Sequence, residues 1–482
     1  MKGGVLIAKK KKIEVSFVDE PASEGVTGSM VYISTPNHHI LIECGMHQSN
    51  NSKHDYEVNS RHYKEFKPKE IDTVFLCHTH GDHTFLLPLL YKRGCAAKTI
   101  MPNKSKPILD TMLRDCAFIN GRDADSLTRK YKKEYLPLFG NDDVDYCMNY
   151  VFESEVKEII KIDNEISYRF IPSGHIPFAC QLELYITVNN HTTKILYTSD
   201  IGNIELQQPF TEQFESVSKA NIIIAENTYA GRTGLQTGKK ERQNDLDKIK
   251  SIVENQVLER RGRVLIPVFA QTRCQIIAWY LYELFKNRED FDCKVYVDSP
   301  LCCKVFELYS QLLEGEEKRK IDELLAWDKL VLVKDAEDSR ALVQSKEPCV
   351  LLSSSGMCHS GRVVHHIKSL VSNSNATILF VGYASPYTLA GKLKDHNQKT
   401  ITIDTKVYPI RCSSYSLKSM SSHINHDSML QYYSSIRADK IYLHHADMDD
   451  KLSFKEELNE VLKEKLSSTK VIAVNSSTKI SI

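Results

Sequence analysis

Long apolar runs are missing from this 482-residue chain. Its longest stretches reach roughly ten residues, well below what spans a bilayer. A surplus of one charge is missing too. Lys+Arg 63 against Asp+Glu 62 leaves a formal charge of +1, so no global basic field marks a nucleic-acid or membrane binder. Any polyanion must meet a local groove instead. The 13 cysteines are odd in number and contain no C-x-x-C pair, which argues against a zinc ribbon. That usage fits reduced thiols in a cytoplasm better than a disulfide framework. No internal repeat of solenoid length and no Pro-, Gly- or Ser-rich linker is present. The opening MKGGVLIAKKKK has a very short apolar run followed by its basic block, with no small-residue cleavage site, and is a poor signal peptide. What remains is an ordinary globular composition, 41% apolar and 26% charged, long enough for two or three domains.

The chain reads as α/β throughout. Short β-rich runs at Ile13–Val18, Ser29–Ser34, Ile40–Glu43 and Asp72–Cys77 are separated by turn residues. Residues 104–160 read as largely helical, and strands resume at Tyr168–Ile171, Leu182–Val188 and Lys194–Thr198. After about Tyr229 a second regime begins. Leu246, Ile249, Val253 and Val257 fall at helical spacing, and Gly262 ends that helix. Apolar strands Arg263–Phe269, Lys294–Val297, Val350–Leu352 and Thr377–Phe380 then alternate with helices, the pattern of βαβ units around a parallel sheet.

Directly after the run DTVFLC stands His78-Thr79-His80-Gly81-Asp82-His83, three imidazoles and a carboxylate within one short segment. On a turning backbone, His78 and His80 can face one side while Asp82 and His83 come round at a helix start. One segment can thus feed ligands to two neighbouring metal ions. Imidazole with carboxylate suits Zn²⁺, with Mn²⁺ or Fe²⁺ as alternatives.

The segment resembles the signature of the metallo-β-lactamase fold superfamily, and further matches follow in the expected order. Ser173-Gly174-His175 resembles its third motif and Thr198-Ser199-Asp200 its fourth. Ala225-Glu226-Asn227-Thr228-Tyr229 resembles the E-S-T-Y segment of the β-CASP branch, the group of mRNA 3′-end-processing endonucleases and ribonuclease J. Leu265–Arg273 (LIPVFAQTR), Tyr296–Leu301 (YVDSPL), Ser353–Met357 (SSSGM) and Gly382–Leu393 are similar to the rest of its cassette. Ser421-Ser422-His423 is similar to the branch's S-A-H, and Leu443-His444-His445-Ala446-Asp447 to its L-V-H-G-E. The resemblance implies a four-layer αββα metallo-β-lactamase domain with an inserted α/β β-CASP cassette on a mainly parallel sheet. The expected division is 1–230 and 399–482 for the first and 231–398 for the second.

Carried over by position, the resemblance implies that His78, His80 and His175 bind one metal and Asp82, His83 and His445 the other, with Asp200 shared. Two zinc ions so placed lower the pKa of a bridging water from about 15.7 towards 7. The hydroxide attacks phosphorus, His423 protonates the leaving oxygen and Glu226 orients that imidazole, leaving a 5′-phosphate and a 3′-hydroxyl. Ser354, Ser355 and Arg273 are candidate phosphate contacts. His445 favours RNA, because DNA-acting members carry valine there. The expectation is a metal-dependent ribonuclease. A DNA exonuclease of the same fold and a non-catalytic scaffold subunit are the alternatives. The motifs leave endo- against exonucleolytic action, the physiological RNA, and any homodimer or RNA-processing partner unspecified. Four departures stand out: Glu43 replaces the usual aspartate of D-C-G, Asn425 the aspartate after the S-A-H histidine, Tyr387 a glycine, and Ala446-Asp447 the Gly-Glu of L-V-H-G-E. His38, His39, His365, His366, His426 and His444 read as surface or packing residues. His359 and Arg362 face either phosphate or a solvated helix start.

Overall fold

The computed structural model describes residues 12–18, 26–49, 51–235 and 237–482; of the opening basic block only Lys12 is included. Two seven-stranded sheets share one plan, each half antiparallel meander and half parallel. In the first, Glu14–Phe17, Val31–Ser34 and His39–Ile42 pair antiparallel, and Thr73–Phe75, Lys98–Pro102 and Val151–Ser154 continue in parallel. In the second, Ile166–Pro172, Cys180–Val188 and His191–Tyr197 are antiparallel, followed by parallel Ile222–Glu226, Lys440–His444 and Lys470–Ala473. The inward side chains of both sheets, among them Phe17, Ile42, Phe75, Phe170, Leu184 and Ile224, form one core. Helices Lys106–Tyr131 and Asn141–Met148 cover the outer face of the first sheet; His426–Ser435 and Met448–Glu464 cover that of the second. This is the expected αββα stack.

A third, six-stranded sheet is parallel at every pairing, and its central strands Arg263–Pro267 and Cys349–Ser353 are buried at every residue. Burial on both faces explains why they read as unbroken apolar runs. Its last strand, Ser413–Ser416, pairs with Ala376–Phe380, so this sheet continues past the expected boundary at residue 398.

Two local expectations differ from the structure. Within 104–160 the strands Val151–Ser154 and Ile160–Lys161 interrupt the helical reading, because segments this short carry no periodicity to read. The helix Lys239–Val253 widens into a π-helical turn at Glu254–Glu259. There the buried Gln256 bonds Asn375 and Thr377 beside the next strand, contacts that no local pattern encodes. Among the described residues no helix is long and apolar enough to cross a membrane.

Candidate metal centre

The motif segments all leave the same edge of the sandwich. HTHGDH follows Thr73–Phe75, Ser173-Gly174-His175 follows Ile166–Pro172, Thr198-Ser199-Asp200 follows His191–Tyr197, and His445 follows Lys440–His444. The carboxyl ends of parallel strands are where α/β sheets place their ligands. A bond from Cys180 N to the Cys77 carbonyl ties the two sheets together there. Gly45 lets the Glu43-Cys44-Gly45 turn lie against HTHGDH, since a Cβ at that position would sit 1.7 Å from the Asp82 carbonyl oxygen. Cys44 N and Met46 N donate to the carbonyls of His83 and Gly81, pinning the loop. Glu43, Ser199 and His445 all hold positive φ, and such backbone concentrates where function requires it.

Asp200 is the centre of the cluster. Its Oδ2 lies 3.7 Å from His78 Nε2 and 3.5 Å from His175 Nε2. Its Oδ1 lies 3.3 Å from His83 Nε2 and 3.4 Å from His445 Nδ1. Each oxygen thus faces its own set of imidazoles. His80 Nδ1 is 3.2 Å from His175 Nε2, and His445 Nε2 is 3.7 Å from Asp82 Oδ2. All seven expected ligands converge, His78, His80, His175 and Asp200 in one group and Asp82, His83 and His445 in another.

The residues fit divalent metal. Donors held about 2.0–2.1 Å from one ion at tetrahedral angles lie roughly 3.3–3.4 Å apart, close to the separations here. His78 Nε2, His83 Nε2 and Asp200 Oδ1 are buried and make no hydrogen bond, an arrangement that costs free energy unless something else satisfies it. Two of the rings are anchored at the opposite nitrogen. His175 Nδ1 donates to the Ser422 carbonyl at 3.1 Å, which leaves the Nε2 lone pair facing the cluster. His78 Nδ1 meets Ser199 Oγ at 3.2 Å. His83 Nδ1 makes no hydrogen bond and lies at ion-pair distance, 3.4 Å, from Glu43. Burial lowers the pKa of His78, His80, His175 and His445, the last to about 4, so these rings stay neutral donors. At His83 burial also disfavours the cation, but Asp200 and Asp82 outweigh it. Burial would raise the Asp200 carboxyl, yet the neighbouring His83 and His445 hold it well below the usual range.

His423 stands at the open side of this cluster, its ring centroid 4.6 Å from that of His175 and its Nδ1 3.9 Å from Asp200. Glu226 Oε1 lies 3.8 Å from the same nitrogen, ion-pair distance and too long for a hydrogen bond. The hydrogen bonds Glu226 accepts come from the backbone N–H of Ile201 and Thr228. Burial works against the His423 cation, but Glu226 and Asp200 outweigh it and raise the pKa.

The phosphate candidates divide. Ser354 Oγ is bonded to Ser299 Oγ at 2.7 Å, and Ser355 Oγ reaches the Ser360 carbonyl at 3.4 Å. Arg273 Nη2 donates to Ser422 Oγ, one residue before His423. Arg362 is spent on structure: its guanidinium binds buried Asp298 and the carbonyls of Val333 and Lys334. His359 is exposed. The packing histidines behave as expected, with His366 on Asp298 and His426 between the Ala230 carbonyl and Glu457. Ser199 and the Ser422 carbonyl, which anchor two of the rings, were missed. Both lie inside motif segments, Ser199 beside the candidate ligand Asp200 and Ser422 beside the candidate acid His423.

The departures find places. Glu43, fully buried, accepts from Cys77 N and Ser199 Oγ while facing His83. Asn425 caps the helix His426–Ser435 through Ser428 N, and its amide donates to Thr237 Oγ1 at 2.9 Å and Glu205 at 3.4 Å. An aspartate could accept at the cap but could not donate to Glu205. Tyr387 is 76% exposed.

Comparison with known proteins agrees with this geometry. The metallo-beta-lactamase superfamily model matches residues 24–147, and the Beta-Casp domain model matches residues 274–393. A ribonuclease of Thermus thermophilus is 26% identical over 420 residues, covering 85% of this chain and 89% of that protein. An RNase J-like protein of Methanocaldococcus jannaschii is 27% identical over 430 residues, covering 88% and 91%. Transcription termination factor FttA of the same organism is 25% identical over 466 residues, covering 94% and 69%. A crystal structure of a protein of unknown function from Enterococcus faecalis matches with a TM-score of 0.53 at 13% identity over 98% of this chain and 100% of that one, a likeness of fold alone. With both family models on one chain and the expected layers beneath them, the protein belongs to the metallo-β-lactamase superfamily, in the branch that carries a β-CASP domain.

Proposed function

We propose that this protein is a metal-dependent ribonuclease, hydrolysing RNA phosphodiesters to a 5′-phosphate and a 3′-hydroxyl. The observation that carries the reading is Asp200, whose two oxygens each face a separate imidazole set within 3.3–3.7 Å, with His423 beside them. His78, His80 and His175 with Asp200 Oδ2 would hold one divalent ion, zinc by preference for this donor set, and Asp82, His83 and His445 with Asp200 Oδ1 a second. Bound there, the pair would supply Lewis acidity to a phosphoryl oxygen and lower the pKa of water.

His423 is the group free to move a proton. Its side chain is 21% exposed, it faces the open side, and it lies outside the ligand set. It donates to the departing 3′-oxygen. Glu226 and Asp200 favour its cationic form, the form an acid must have before transfer. The names of the Thermus and Methanocaldococcus relatives support RNA as substrate. Thirteen unpaired cysteines, twelve of them buried, support a reducing compartment such as the cytoplasm.

The test is cleavage of one single-stranded RNA, labelled internally and at its 5′ end, beside its DNA equivalent, with Zn²⁺ or Mn²⁺. RNA fragments bearing 5′-phosphate, lost in His423→Ala, support the reading. Preferential DNA cutting moves the assignment to a DNA exonuclease. A protein that binds metal and cuts neither is a scaffold.

A further inference from the structure

The chain crosses between the metallo-β-lactamase unit and the cassette twice, and both crossings carry groups proposed for proton transfer. Going out, the strand Ile222–Glu226 ends at Glu226, Tyr229 and Ala230 pack in the core outside the second sheet, and Ile249 is already buried in the cassette core. Coming back, Met420 is still buried in the cassette core, and Ile424 is buried in the core outside the second sheet. His423 therefore stands on the short step between the two units. A shift of the cassette reaches it there unless the crossing is held.

Backbone bonds hold the step to the metallo-β-lactamase unit: Gln208 Nε2 donates to the Ser421 carbonyl at 2.7 Å, and Ile424 N to the Ile201 carbonyl at 2.9 Å. The outgoing segment adds a side-chain hold. Ser421 Oγ donates to Tyr229 Oη at 2.6 Å and accepts from His423 N at 3.1 Å. The Tyr229 ring is buried, its centroid 5.3 Å from that of His423. A turn in which Arg232 N donates to the Tyr229 carbonyl at 3.0 Å brings the Arg232 guanidinium 3.9 Å over the Tyr229 ring. The same guanidinium lies 4.2 Å over the ring of Tyr383, in the cassette loop that follows Ala376–Phe380. A planar, delocalised cation can stack on two rings in this way, whereas a lysine ammonium is a point charge.

Resting on the ribonuclease reading for its catalytic consequence, we infer that Arg232 is a positioning residue. Stacked on Tyr229 from the outgoing segment and on Tyr383 from the cassette, it ties the two units together beside the acid. Through Tyr229 and Ser421 it fixes the backbone from which the His423 imidazole reaches the metal cluster. The acid is then in place when the cassette loop is closed on Arg232, which couples covering of the cleft to readiness for proton transfer. A small misplacement of such a group is costly, because proton transfer needs hydrogen-bond distance to the leaving oxygen.

The experiment pairs two readouts on the full chain as purified, comparing native protein with Arg232→Met, Tyr383→Leu and Tyr383→Phe. Hydrogen–deuterium exchange of the Ser421–Ile424 amides is expected to run about fivefold faster in Arg232→Met and Tyr383→Leu, the loss of a stacked cation, with exchange at His78–His83 and the melting temperature unchanged. Single-turnover RNA cleavage at saturating substrate is expected to slow about fivefold in the same two variants, with the half-saturating RNA concentration unchanged. Tyr383→Phe keeps the ring face and should match native protein in both readouts. The double variant Arg232→Met/Tyr383→Leu should be no slower than the slower single one, because both changes open one clasp. Native exchange and native cleavage in both single variants overturn the proposal. So does faster exchange throughout the chain with a lower melting temperature, the mark of a merely structural contact. A raised half-saturating concentration with a native maximal rate also overturns it, since Tyr383 would then hold substrate instead of Arg232. RNA left uncut by native protein removes the ribonuclease reading, and faster Ser421–Ile424 exchange in the variants would still support the hold of Arg232 on the His423 segment.

Discussion

Asp298 and His366 meet at 2.6 Å with both side chains fully buried beneath the parallel sheet of the inserted unit. Arg362 donates to the other Asp298 oxygen at 2.8 Å, and Ser339 adds a third bond at 2.8 Å. Burial pushes the Asp298 carboxyl up, but the bonds from His366, Arg362 and Ser339 together pull it below the usual range. A depressed carboxyl contributes stability above its unfolded pKa of about 3.9 and loses it as pH falls through the lower folded value. Asp298→Asn should therefore be less stable at neutral pH by about 3 kcal/mol, since it leaves His366 and Arg362 without their anion. The variant should also lose less of its melting temperature below pH 4 than the native protein does. Thermal melts across pH check both, and identical melts at neutral pH would show that the network contributes no stability.

The paired faces of Asp200 predict metal content. Native protein should carry two divalent ions per chain, and Asp200→Asn should lose at least one of them because the amide offers a single neutral oxygen. Glu43→Gln tests the anchoring of His83 and leaves all seven donors in place. A change at such an outer position weakens metal affinity by roughly 10–100-fold. Elemental analysis after dialysis against a weak chelator reads both. Two ions retained in Asp200→Asn would remove the bridging assignment.

The convergence of the candidate ligands was legible because each follows a strand within a short, quotable segment. His78 to His83 announce themselves by type and spacing, and His175, Asp200 and His445 by order along the chain. The four-layer stack was legible for a related reason, since strand alternation and apolar runs are local. What stayed hidden depends on partners remote in sequence. Arg362 read as facing either phosphate or solvent because Asp298, which holds it, lies 64 positions away. Asn425 read only as a departure from aspartate because Glu205 and Thr237, which accept from its amide, lie 220 and 188 positions away. Ser413–Ser416 looked like part of the returning domain, and only its pairing with Ala376–Phe380 assigns it to the third sheet.

His423 and the ligands should separate cleanly in kinetics. His423→Ala removes a proton donor and no metal donor, so RNA cleavage should fall by roughly 10²–10⁴-fold while metal content is unchanged. Single-turnover cleavage with matched metal analysis reads this. Loss of metal in His423→Ala would mean that the imidazole supports the cluster rather than the leaving oxygen.

Two glycines predict opposite signs for one substitution. At Gly45 an added Cβ would lie 1.7 Å from the Asp82 carbonyl oxygen and 2.7 Å from Ser29 N, both backbone atoms that cannot rotate away. The Glu43-Cys44-Gly45 turn would have to separate from HTHGDH, breaking the bonds from Cys44 N to His83 O and from Met46 N to Gly81 O that hold the loop. Gly45→Ala should therefore lower the melting temperature and metal content together. Gly121 lies within the helix Lys106–Tyr131, and a Cβ there meets nothing within 4 Å. Gly121→Ala should raise stability by about 0.5–1 kcal/mol, because alanine gives up less backbone freedom on folding than glycine does. Melting curves and metal analysis on the two variants, side by side, separate a positional requirement at the metal loop from a general effect of replacing glycine. If Gly45→Ala kept both its metal and its melting temperature, the close approach of the two loops would not be what positions Asp82 and His83.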